Sequence, residues 1–240
     1  MFDPVKTGFG VYLKRFYDGL APTTKQVKEF SERGFDKSAA WCVGRMVDDA
    51  EKMLEAWQKN DTDQSDTRPP KLPVILTALD SEYTPVDPEF SYQITEPLHV
   101  VIADDAKSRL FGLQTITAQL RMQVVIIATD QPTALSLAAQ LGLFFKHPGN
   151  RRFNASHTFA GVTESWPVQM VDNTIPFLKV TTDYKNVHIL AGNLLLNTTV
   201  PLYDAPRLNN PDNDENGIPE TDDPAGYAVV VEIDANGVSV

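Results

Sequence analysis

From Leu113 to Ile126 the chain alternates with period two. Gln114, Ile116, Ala118, Leu120, Met122, Val124 and Ile126 take the even positions, and Thr115, Thr117, Gln119, Arg121 and Gln123 take odd ones. Successive side chains of a strand point to opposite faces, so this spacing predicts one long strand with one face on a core. Asp130 then offers a carboxylate as a helix N-cap, with Pro132 in the first turn. Ala134, Leu135, Leu137, Ala138, Ala139, Leu141, Phe144 and Phe145 fill the helix until His147-Pro148-Gly149 stops it. A helix this apolar is expected to lie buried.

The same patterning organises the rest. Residues 1–36 read as an N-terminal arm of short helical pieces, with Tyr12, Phe16 and Tyr17 among basic residues and Pro22 and Gly34 at turns. Ala39, Val43, Met46, Ala50, Met53 and Trp57 recur at every third or fourth position, which predicts a helix over Ser38 to Gln58 packed on a sheet. Polar residues 60–70 predict a loop before a strand at Pro73 to Leu79. A proline-punctuated excursion from Tyr83 to Pro97 leads to a second apolar run, Leu98 to Ala103. Arg151 to Glu164 reads as loop or edge strand, Pro167 to Val171 and Pro176 to Thr182 as short strands, and Tyr184 to Tyr203 as a weakly alternating one. Strands outnumber helices and are joined mostly by loops. The expectation for residues 37–206 is therefore an α+β core domain whose sheet is largely antiparallel, with helices packed on one face. Residues 207–226 are an acidic linker with almost nothing to bury. Residues 227–240 form a C-terminal strand or hairpin, in which Tyr227, Val229, Val231 and Ile233 alternate before an Asn236-Gly237 turn. That strand is expected to dock on a sheet edge, of its own subunit or of a neighbour.

Composition narrows the function. With 240 residues and 42% apolar content the chain can bury a substantial core. A formal charge of −11 repels phosphate backbones and anionic membranes, so specific nucleic-acid or membrane binding is not expected. Cys42 is the only cysteine, which excludes an internal disulfide, and on the expected helix it reads as a buried small hydrophobe. Met1 to Pro4 lacks the basic and apolar regions of a signal peptide and no apolar run approaches a membrane span of about 18 residues, so a cytoplasmic, reducing origin is expected.

Candidate chemistry is sparse. Asp212-Asn213-Asp214-Glu215-Asn216-Gly217 matches the first half of a calcium loop, with oxygen ligands at alternate positions and a glycine for the turn, but the twelfth position falls on Asp223, too short for the usual bidentate contact. A solvated acidic loop is the favoured reading of it. His99, His147, His157 and His188 are scattered, with no helical metal-pair spacing. Trp41, Trp57 and Trp166 read as core or interface anchors. Arg151-Arg152, Lys71 and Lys146 are the nearest thing to basic clusters, suited to a solvated loop or to ion pairs with an acidic neighbour. No nucleophile elbow, phosphate loop, dinucleotide turn or zinc-protease motif occurs, so no catalytic, cofactor-binding or metal residues and no enzymatic activity are expected.

Leu120 to Asp130 running into Ala134 to Phe145, then Pro167-Val168-Gln169-Met170, then Val187 to Tyr203 followed by Asp204-Ala205-Pro206, give an order of elements that resembles the tail terminator proteins of contractile-tailed bacteriophages. The resemblance covers about residues 70–206 and implies a tail-terminator-like fold. It also implies a homohexameric ring that caps the tail tube and sheath, stops polymerisation and joins the tail to the head connector proteins. Such a protein is assembled in the host cytoplasm, resides in the neck of the virion and lets DNA pass without binding it specifically, which suits an acidic chain. The strand-like end after the acidic linker departs from the family pattern. Another phage neck, collar or baseplate ring protein therefore stands as an alternative, and a calcium-dependent binding module built on Asp212 to Gly217 as a further one.

Overall fold

Along the chain, helices α1 (Asp3–Asp18) and α2 (Lys25–Glu32) precede strand β1 (Ala39–Cys42) and helix α3 (Ala50–Gln58). There follow β2 (Val74–Pro85), β3 (Leu98–Val101), β4 (Leu110–Ala128), helix α4 (Gln131–Lys146), β5 (Arg152–Phe159), β6 (Val162–Met170), β7 (Leu178–Val180) and β8 (His188–Asp204). The structure is a computed structural model that describes residues 2–59, 62, 72–86, 98–101, 110–159 and 162–204. Most of the expected loop at 60–70, most of the 83–97 excursion, the acidic linker and the C-terminal strand lie outside the described residues.

The eight strands form one mixed sheet in the order β1-β2-β4-β8-β6-β5, with β3 beside β4 and β7 beside β8. Among the described residues only β1 and β2 run parallel; the other pairings are antiparallel. The expected α+β class with a largely antiparallel sheet thus describes the molecule. Its spine is the β4–β8 pair, in register from Gly112 opposite Asp204 to Ala128 opposite His188. β6 touches β8 only at Gln169 and Met170, and the sequence explains why. The amide of Met170 bonds Arg151 and that of Val171 bonds Leu195, so even residues of β6 face β5 and odd ones face β8. Pro167 lies on the β8 side and has no N–H to give, so pairing there stops.

Two apolar layers sandwich the sheet, and this corrects the expectation of helices on one face. Leu120, Met122, Val124 and Ile126 of β4 join α1, α2 and α4 on one side. Val125 and Ile127 of β4, with Val74, Leu76 and Ala78 of β2, meet α3 on the other. The C-terminal half of β4 is therefore buried on both faces rather than one, as befits a strand in the middle of a covered sheet.

The helix expected over residues 38–58 is also corrected. Only Ala50–Gln58 is α-helical, capped by Asp49, whose carboxylate accepts the Lys52 N–H at 3.1 Å. Ala39–Cys42 is a strand and Gly44–Met46 a 3-10 turn. Gly44 passes so close to β2 that a Cβ there would stand 2.4 Å from the Leu79 carbonyl oxygen, and Asp48 adopts φ 70, which no continuing helix permits. The helical spacing across this stretch joined residues of different layers: Ala39 belongs to the first, and Met46, Ala50, Met53 and Trp57 to the second. Cys42 is buried as expected, but on β1, with Sγ 3.9 Å from the Met53 carbonyl.

Within residues 1–36, expected as an N-terminal arm, α1 and α2 pack into the core. Val5, Phe9, Tyr12, Leu13, Phe16 and Tyr17 recur at helical spacing on α1 and are buried against the sheet and α4. The Tyr12 hydroxyl donates to the Asn150 carbonyl at 2.7 Å, and burial raises its pKa above the usual phenol range against the opposing charge of Arg15.

Candidate interaction surface

The helix α4 lacks any charged side chain from Gln131 to Phe145. Its inner face, Leu137, Leu141 and Phe145, is sealed against the sheet. One flank is crossed by the segment before α2, where Ala21 exchanges bonds with the Gln140 amide at 2.8 and 3.1 Å and Thr24 meets Thr133 at 3.0 Å. Among the described residues nothing covers the outer face: Leu135 is 50% and Leu143 69% exposed, and a Cβ on Gly142 would meet nothing within 4 Å. The expectation that so apolar a helix is buried holds for the inner face only. Leu143 was not singled out in the sequence, although a helix with apolar residues on more than one face already signals a second contact beyond the core.

Beside it, α1 runs along the edge strand β5. Gly8 makes this approach possible, since a Cβ there would lie 2.3 Å from the Asn154 carbonyl oxygen. A helix laid against an edge strand shields it from further pairing. Outside that contact, a groove of about 380 Å³ is lined by Pro4, Thr7, Val11, Arg15, Arg152 and Asn154 among others, and Val11 is 63% exposed. It meets a second groove of about 390 Å³ between the ends of α1 and α4, which shares Arg15 and includes Leu143, Phe144 and His147. No carboxylate lines either groove. The Arg15 guanidinium donates to the neutral Asn150 Oδ1 at 3.0 Å, and His147 Nδ1 accepts the Gly149 N–H at 3.2 Å.

On the opposite face the polar odd positions of β4 have structural work. Arg121 bridges Asp48 at 2.6 Å and Asp80 at 3.2 Å. Desolvation favours the neutral guanidine, but the hydrogen bond and charge of Asp48, then those of Asp80, outweigh it and raise the Arg121 pKa. Gln123, 4% exposed, donates to Asn193 Oδ1 at 3.1 Å and accepts the Asp48 N–H at 3.1 Å, while Gln119 donates to Asn197 Oδ1 at 3.2 Å. Gln123 and Arg121 thus hold the turn before α3 to the sheet, while the Gln119–Asn197 and Gln123–Asn193 bonds tie β4 to β8.

The residues singled out in the sequence are dispersed. His99 falls on β3, His147 at the end of α4, His157 on β5 and His188 at the start of β8. The His157 ring centroid is 6.5 Å from that of Trp166, and partial burial lowers its pKa. Trp166 and Trp57 are buried in opposite layers, and Trp41 packs edge-on to Phe9 at 5.9 Å. Arg151 turns inward to the Met170 and Val171 carbonyls at 3.5 and 3.3 Å, leaving Arg152 exposed in the groove. Among the described residues, no three His, Cys, Asp or Glu side chains gather where they could hold a metal ion, and no helix is long and apolar enough to cross a membrane. Lys71, Asp212 to Gly217 and Asp223 lie outside the described residues. No family model matches the chain, and no curated protein matches it.

Proposed function

We propose that this chain is a structural protein of the bacteriophage neck, forming a homohexameric ring that terminates the tail tube and sheath and joins the tail to the head connector. The observation that carries the reading is the uncharged outer face of α4, where Leu135 and Leu143 stand exposed on a regular helix. Apolar surface is costly to leave in water, roughly 25 cal/mol per Å², and a neighbouring subunit laid on it recovers that free energy. In a ring every copy offers this face to the next, and a rotation that closes prevents open-ended growth. The net charge of −11 suits a subunit around a channel through which DNA passes without adhering.

Sedimentation at micromolar concentration, with images of negatively stained particles, tests the reading. The expected species is a ring of six 26.6 kDa chains, roughly 160 kDa, that binds the end of purified tail tubes. A stable monomer that leaves tails unchanged overturns it. A ring found elsewhere on the particle assigns the chain instead to another neck, collar or baseplate ring. The calcium-loop pattern at Asp212 to Gly217 motivates a second reading, a calcium-dependent binding module. Calorimetry that shows no heat with calcium at about 1 mM, far above the range of sensor sites, removes it.

A further inference from the structure

The charge of this chain is unevenly distributed. Residues 205–240 contain eight carboxylates and one basic residue, Arg207, and so account for seven of the eleven net negative charges. The groove between α1 and β5 has the opposite character, with Arg15 and Arg152 exposed at its rim, no lining carboxylate and the exposed Val11 on its wall. Around its Arg15 end stand His147 and the last turn of α4 with Lys146. Nearby Asp18 is engaged by Lys14 at 2.6 Å, and among the described residues no carboxylate lines the groove beside the two arginines.

We infer that this groove is the docking site of the chain's own acidic stretch, residues 212–223. Charge complementarity is one argument and tether length is the other. Arg152 lies opposite Gln169, which lies opposite Asn197, seven residues before Asp204 on β8. At about 3.3 Å per residue along the strand and about 4.8 Å between strands, Asp204 is roughly 25 Å from Arg152. Asp212 follows eight residues later, a reach of about 26–29 Å for extended chain, so the acidic stretch arrives at the groove without leaving its own subunit. Two arginines held by helix and strand recognise carboxylates through charge-assisted hydrogen bonds, and Val11 offers an apolar wall to Ile218 or Pro219. This inference is independent of the ring reading, since it concerns a contact within one chain.

The test uses the full chain. Cys42 is fully buried, so a cysteine introduced by Asn216→Cys carries a nitroxide label alone. The methyl resonances of Val11 and Leu143 should lose at least about half their intensity beside the label, while Val43 stays sharp. Salt at about 0.5 M should restore the lost signal, because it shortens the screening length to a few ångströms. Arg15→Glu with Arg152→Glu should restore it too. Both arginines are exposed, and an unchanged melting temperature shows that the fold survives. As a second variant, Asp212→Asn with Asp214→Asn and Glu215→Gln should have the same effect without touching the described residues. Unbroadened Val11 overturns the inference, as does broadening that persists in both charge variants. Broadening of Val11 in isotope-labelled chains that carry no nitroxide, when these are mixed with nitroxide-labelled chains, also overturns it, because the stretch then belongs to a neighbouring copy.

Discussion

Two glycines on helices show how much a single position depends on its surroundings. At Gly8 a methyl group would collide with the Asn154 backbone, so Gly8→Ala must push α1 away from β5 and should cost about 1–3 kcal/mol or more. At Gly142 nothing stands in the way, and Gly142→Ala should instead stabilise α4 by about 1 kcal/mol through backbone propensity. Urea unfolding of the two variants should move the midpoint in opposite directions. Leu141→Ala or Phe145→Ala opens a cavity where α4 meets the sheet and should cost about 2–5 kcal/mol by the same measurement. His157 supplies a pH dependence. Its folded pKa is depressed by burial, so the stability it contributes is complete above its ordinary value of about 6.5 and is lost as pH falls through the folded value. Between about pH 7.5 and 5.5 the unfolding midpoint should therefore fall, and His157→Asn should flatten that fall.

At the scale of elements, legibility followed how many independent signals agreed. For α4 the cap, the first-turn proline, the apolar run and the stop all pointed to one answer, and Asp130 does accept the Thr133 N–H at 2.8 Å. Asp130→Ala should cost about 0.5–2 kcal/mol in thermal unfolding. β4 was equally legible from its alternation, apart from the second buried face, which depends on α3 arriving from elsewhere in the chain. Residues 38–58 had periodicity alone. There the tertiary contact of Gly44 with β2 and the left-handed turn at Asp48 outweighed a helical spacing that owed its regularity to two different cores. The candidate surface was legible only in part. In the sequence Arg152 is half of a basic pair, but its separation from the inward-turned Arg151 is set by backbone carbonyls of β6 and the turn after it. Arg15 and Val11 gain meaning only once α1 lies along β5.

The whole molecule holds together across two layers, with the sheet as their common partition, and this separates folding from assembly. Every large side chain on the inner face of α4 is buried within the chain, whereas Leu135 and Leu143 contribute almost nothing to that core. Leu135→Asp combined with Leu143→Asp should consequently leave the melting temperature of the isolated chain nearly unchanged, since exposed substitutions usually stay within about 0.5 kcal/mol. If the outer face of α4 seats the next subunit, the same pair places two carboxylates in an apolar contact. Burying each of them costs several kcal/mol, and repetition around a closed ring multiplies that penalty at every interface. The expected outcome is a folded monomer by sedimentation, with ring particles absent from stained fields and tails left uncapped. Rings that form as well with the double variant as with the natural chain would place the subunit contact elsewhere and remove the principal physical support for the neck-ring reading.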